Sequence, residues 1–125
     1  YHLSQEPYLY CAKGGKVKIL YFALGAGIGA PTRYVIDSFF RSSYRFPVGI
    51  LIVNILGSFL LGISAEDKSE LGYALFGFCG ALTTWSAFSL DLYSQRSKLR
   101  EFTVNLFGNY FLGIAAAILG VWIRQ

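Results

Sequence analysis

Eight polar residues stand out because they lie within long apolar runs, Arg33, Asn54, Ser58, Thr83, Thr84, Ser86, Asn105 and Asn109, and with them two aromatic residues three apart, Trp85 and Phe88. Carboxamides, hydroxyls and the positive edges of aromatic rings can surround a small ion without moving a proton. Catalysis is not indicated. No Ser/His pair, paired aspartates or metal-ligand spacing occurs among the apolar runs, and the single histidine, His2, stands near the N-terminus.

Their spacing carries further information. Asn54, in VNILGSFLLG, sits near the centre of its apolar run, where its amide must bond another helix or face a pore. Asn105, Asn109 and Gly113 recur every four residues, making a polar-to-small stripe that suits a pore-facing track. In GFCGALTTWSAFS, Gly77, Gly80 and the paired Thr83 and Thr84 weaken a helix, and a break near the membrane midplane is expected. Such a break exposes carbonyls on one side and amides on the other, and both attract ions. Trp85 and Phe88, three residues apart, share a helix face and serve either packing or an anion. Arg33, two residues after Pro31, must snorkel, find a partner or line a wet vestibule.

The elements that carry these residues are membrane helices. Of 125 residues 54% are apolar and 14% charged, mean hydropathy is +0.48, and lipid is the expected solvent. A run of roughly 20 apolar residues crosses a hydrocarbon core of about 30 Å as a helix. Four such spans are read at about Val17 to Phe40, Pro47 to Ala65, Leu71 to Tyr93 and Phe102 to Ile123. Short charged segments join them, and none could hold a soluble domain. The first span lacks a convincing cleavage site and is expected to stay in the mature protein. Residues 1–15 are expected to form a mobile tail ahead of a channel domain at 16–125. No disulfide is expected between Cys11 and Cys79.

Four spans place both termini and the second loop on one face, with Lys13, Lys16, Lys18, Lys68 and Arg124. The other face carries Arg41, Arg45, Arg96, Lys98 and Arg100, again five cations, so positive-inside bias is almost absent. Insertion in both orientations, and hence an antiparallel dimer, becomes accessible. The net charge of +4 lies at membrane borders, and nucleic acid is not an expected partner. Gly25 with Gly29, Ser58 with Gly62, and Ala116 with Gly120 stack small residues on helix faces, either within one subunit or at a dimer interface.

GAGIGAPTRY, FPVGILIVNILGSFLLG and GFCGALTTWSAFS, in this order and in these spans, resemble the signature segments of the CrcB/Fluc fluoride channels. The likeness covers almost everything after Lys16. It implies an all-α integral membrane protein working as an antiparallel dual-topology dimer in the plasma membrane, with a passive exit for fluoride. By motif position it implies a fluoride pathway past Asn54, Trp85, Ser86, Phe88, Arg33, Thr84, Asn105 and Asn109. It also implies a structural sodium ion (Na+) at the dimer centre, held by the backbone carbonyls of Gly80 and Thr83.

The sequence departs from that pattern in places. Trp85 replaces a usual Phe, Ala87 and Ile50 replace usual Thr residues, and Asn105 and Asn109 replace Tyr and Ser, each removing or reshaping a pore contact. These departures suit one subunit of a heterodimer with a paralogue, whereas balanced loop charge suits a homodimer. Two other readings stay open: a non-conducting assembly subunit, and a small multidrug-type transporter. The latter needs a titratable carboxylate at depth, and Asp37, Asp91 and Glu101 all lie near span ends.

Overall fold

The computed structural model describes the backbone of residues 6–125 and the side chains of residues 14–125, all of it helical or connecting. Five helices follow one another: α1 Glu6–Ser43, α2 Val48–Ser64, α3 Glu70–Leu82, α4 Ser86–Ser94 and α5 Leu99–Arg124. Three stretches, Gly14–Ser43, Glu70–Ser94 and Leu99–Arg124, are long and apolar enough to cross a membrane, and α2 is a shorter apolar helix. At 17 residues, α2 is about 26 Å long, near the lower limit for a crossing. At the N-terminus α1 begins ahead of the first expected span. There the segment read as a tail is helical from Glu6 onward, while residues 1–5 lie outside the described residues. The side chain of Cys11 also lies outside them; Cys79 is a buried free thiol.

Two helix pairs build the bundle. Gly25 and Gly29 of α1 let the backbone of α3 approach at Ala74 and Phe78, and Gly77 of α3 lies against the backbone of Phe22. On the other side Gly62 of α2 meets Ala117, and Gly120 of α5 meets Phe59 and Ile63. Gly25, Gly29, Gly62 and Gly120 therefore serve packing inside one chain. Close backbone approach is how helices associate where lipid removes the hydrophobic drive between them.

Between the pairs, Ile50, Val53, Leu82 and Phe88 form the buried apolar core, with Ile36, Phe78, Ala87, Leu92 and Leu106 against it. Among the described residues the buried apolar side chains are matched in number by buried polar ones: Ser64, Thr84, Gln95, Asn105 and Asn109. Large apolar side chains such as Ile28, Phe111, Ile118 and Trp122 face outward. An apolar exterior around a partly polar interior is the inverse of a water-soluble domain and suits surrounding lipid.

The connections alternate between two ends. Arg41 at the close of α1 pairs with Asp37 at 3.1 Å and with Asp91 of α4 at 3.1 Å. At the opposite end the Arg124 guanidinium donates to the Ile63 carbonyl at 2.6 Å. In the loop there, the Ser69 hydroxyl and amide hold the Asp67 carboxyl below the usual carboxylate range, and Ser69 caps α3 by accepting from the Gly72 amide.

Candidate functional site

The helix is interrupted for three residues, Thr83 to Trp85, between α3 and α4. Thr83 is extended, with φ −71° and ψ 151°, and both its amide and its hydroxyl donate to the Cys79 carbonyl at 3.0 Å. In a continuous helix the next amide, that of Thr84, would return to Gly80. It donates instead to Asn54 Oδ1 at 2.9 Å. The Thr84 hydroxyl then accepts the Ala87 amide at 3.2 Å, capping the first turn of α4. Asn54 thus takes up a backbone group that hydrocarbon would leave unpaired.

From Asn54 a row of carboxamides follows, and backbone groups determine its direction. Because the Thr84 amide can only donate, Asn54 must accept through Oδ1, which turns Nδ2 toward Asn109 Oδ1 at 2.8 Å. Asn109 Nδ2 donates to the Asn105 carbonyl at 3.0 Å, and a carbonyl can only accept, so this amide is oriented as well. The same Nδ2 lies 2.8 Å from Asn105 Oδ1, and Asn105 Nδ2 continues to Gln95 Oε1 at 3.0 Å. The four side chains join head to tail across α2, α5 and the α4–α5 turn.

A cleft of about 300 Å³ opens beside this row, lined by Asn54, Ser58, Leu61, Thr83, Thr84, Trp85, Phe88, Asn109 and Tyr110. Its aromatic wall is a three-ring cluster. Trp85 and Phe88 meet edge to face with centroids 5.5 Å apart, and Tyr110 joins them at 6.1 and 6.3 Å. Edge-to-face packing presents ring hydrogens, the positive part of an aromatic quadrupole. Among the described residues no ionised side chain lines the cleft, and its lining is amide, hydroxyl, ring and alkyl.

The structure brings Asn54, Thr84, Trp85, Phe88 and Asn109 to one cleft. Asn105 lies behind Asn109 and is only 1% exposed. Ser86 is exposed, with its hydroxyl 3.3 Å from that of Thr84. Arg33 is half-buried on α1 and does not line the cleft. Gly80 is exposed, and a Cβ built on it would meet nothing within 4 Å. Of the departures, Trp85 borders the cleft. Ile50, expected to reshape a pore contact, is instead buried in the apolar core one turn before Asn54.

Two participants escaped the sequence reading. Gln95 stands in a charged connecting segment, where a polar residue excites no notice, and Tyr110 is one of nine tyrosines in a chain rich in aromatics. A four-residue stripe extended backward from Asn105 would have ended in the α4–α5 turn, close to the segment that holds Gln95.

Comparison with known proteins places this chain in a family. A model described as CrcB-like protein, Camphor Resistance (CrcB), matches residues 20–121. The chain is 36% identical over 106 residues to the fluoride-specific ion channel FluC 1 of Streptococcus pneumoniae, covering 82% of this chain and 96% of that protein. It is 33% identical over 121 residues to the fluoride-specific ion channel FluC of Acinetobacter baylyi, covering 86% and 96%. It is 39% identical over 108 residues to the fluoride-specific ion channel FluC 2 of Rhodococcus jostii, covering 82% and 94%. With all but the outer ends of its helices inside the family match and these relatives aligned over nearly their full length, the chain is a multi-pass protein of the plasma membrane and belongs to the CrcB family.

Proposed function

We propose that this protein is a fluoride-selective channel through which fluoride leaves the cell passively, down its electrochemical gradient. The observation that carries the reading is the cleft beside Asn54, in which carboxamides, hydroxyls and ring edges converge without a fixed charge. Fluoride is small and strongly hydrated, so a pore must replace its water with N–H, O–H and ring C–H groups. A full positive charge among them would hold the ion too firmly for conduction. The names of the relatives, all fluoride-specific channels, support the same substrate.

In this reading α3 and α4 are two halves of one span, with the break at Thr83 to Trp85 near the bilayer midplane. A second, antiparallel copy completes the channel, supported by the balance of five cations on each face. The donor set at the break fits a structural sodium ion. The Gly80 carbonyl is relieved of its helical partner because Thr84 donates to Asn54, and Gly80 borders open space. Carbonyl oxygens are hard ligands suited to an alkali or alkaline-earth cation. Gly80 and Thr83 of each copy would hold the ion, which when bound neutralises carbonyl dipoles that lipid cannot satisfy.

A second reading is a subunit that conducts only beside a paralogous partner, favoured by the indole of Trp85, which is 66% exposed at the cleft. One experiment separates the two. The purified chain alone is placed in liposomes with sodium present, and efflux is followed with a fluoride electrode and a chloride control. Fast fluoride-selective efflux is expected from the homodimer; silence from folded protein that is relieved by coexpression with a paralogue would replace this with the heterodimer.

A further inference from the structure

The carboxamide row has a polarity, and its consequence falls on its last member. Each amide oxygen in the row accepts from the residue before it: Asn54 from the Thr84 amide, Asn109 from Asn54, Asn105 from Asn109, and Gln95 from Asn105. Donor capacity is therefore displaced along the row. At its end, Gln95 Oε1 is occupied while Nε2 has no acceptor among the described residues. The side chain is 7% exposed, yet Nε2 is not sealed from solvent, since no unpaired buried side-chain nitrogen or oxygen is present among the described residues. A largely buried amide whose N–H groups are unpaired among the described residues yet within reach of solvent is a donor for a small anion.

The surroundings favour transit over trapping. The backbone of Gln95 is held by its amide, which donates to the Asp91 and Leu92 carbonyls, and by its own carbonyl, which accepts from Lys98. Arg96, the adjacent cation, stacks on Tyr93 at 4.1 Å and donates to the Tyr93 carbonyl at 2.9 Å. Its charge is thereby engaged against the end of α4.

We infer that Gln95 is a fluoride-binding station at the α4–α5 end of the pathway, donating through Nε2 while Asn105 holds its oxygen. The inference rests on the fluoride-channel reading and adds a residue to it. Neutral donors polarised by the row bind the ion at this station and release it without breaking an ion pair.

The test separates donation to fluoride from mere support of Asn105. Gln95→Glu keeps an oxygen for Asn105 and loses both N–H groups, whereas Gln95→Met loses both functions. Fluoride efflux is measured for each in liposomes beside the wild type, at about 0.1 M and 1 M of an inert sodium salt, because high salt screens the added charge of Glu. A loss of tenfold or more in both variants, unchanged by salt, is expected. Wild-type efflux from Gln95→Glu, or a loss that disappears at high salt, would overturn the station. A wild type that passes no fluoride, alone or coexpressed with a paralogue, overturns the channel reading itself, and this inference with it. Should the variants misfold, the wild-type chain labelled at its three glutamines, Gln5, Gln95 and Gln125, is titrated with fluoride and with chloride. A fluoride-specific shift of the Gln95 side-chain amide signals is expected, and its absence would equally overturn the station.

Discussion

Asn54 Oδ1 accepts the backbone amide of Thr84 at 2.9 Å across thirty residues of sequence. One bond thus stabilises the helix break, orients the Asn54 carboxamide and begins the row that ends at Gln95. Its Nδ2 also lies 3.5 Å from the Thr84 carbonyl, so both backbone polar groups of that residue face one side chain.

Asn54→Leu removes this acceptor and leaves the Thr84 amide unpaired, a loss of about 1–3 kcal/mol. Fluoride efflux is expected to collapse, with a lower unfolding temperature in detergent. Asn109→Leu leaves the Thr84 bond in place and is expected to reduce efflux with a smaller change in unfolding temperature. Equal destabilisation by both would count against the assignment of the break to Asn54.

Gly77 and Gly80 occupy the same helix with opposite surroundings. A methyl group on Gly77 runs into the backbone of Phe22, and Gly77→Ala is expected to cost about 1–3 kcal/mol by overpacking. Gly80→Ala meets nothing within 4 Å among the described residues. Its effect is expected on assembly: normal helical content, but a shift from dimer to monomer in size-exclusion chromatography. A stable Gly80→Ala dimer would place the partner elsewhere.

Sodium withdrawal examines the proposed ion site directly. Exchange of sodium for a large organic cation is expected to lower both efflux and dimer stability, reversibly on return of sodium. Indifference of both quantities would remove sodium from Gly80 and Thr83.

Arg41→Gln unties α1 from α4 by releasing Asp37 and Asp91. Half of the Arg41 side chain is exposed, so the expected loss is only about 1 kcal/mol. Thermal unfolding measures it, and Asp91→Asn should give a similar loss, since the two form one bidentate pair.

The exposed indole of Trp85 is expected to be replaceable. Trp85→Phe keeps an edge toward Phe88 and Tyr110 and should leave efflux within about threefold of wild type, whereas Trp85→Ala removes contacts of about 0.5–1.5 kcal/mol each and should lower it severalfold. Efflux from liposomes decides between them; a silent Trp85→Phe would show that the indole N–H itself is required.

How much was legible beforehand can be judged at single residues. Asn54 announced itself because a carboxamide amid VNILGSFLLG has no cheap alternative to a partner. Gly25 and Gly29 announced a close approach but not its target, because small residues every four positions suit α3 of the same chain as well as a second copy. Ile50 looked like a pore position by its place in a motif, and helix rotation buries it in the core. Gln95 carried no signal, since at a span end a glutamine is ordinarily solvated.

The sequence by itself determined the membrane-helical class, the approximate ends of the apolar helices and the polar residues that hydrocarbon cannot leave alone. These follow from transfer energies and helical period, which act locally along the chain. Only the tertiary structure decided which polar groups meet, in which direction each amide points, and which donor remains over. Hydrogen-bond partners such as Asn54 with Asn109, 55 residues apart, depend on how helices cross and rotate, and those quantities arise from packing between segments that no local pattern records.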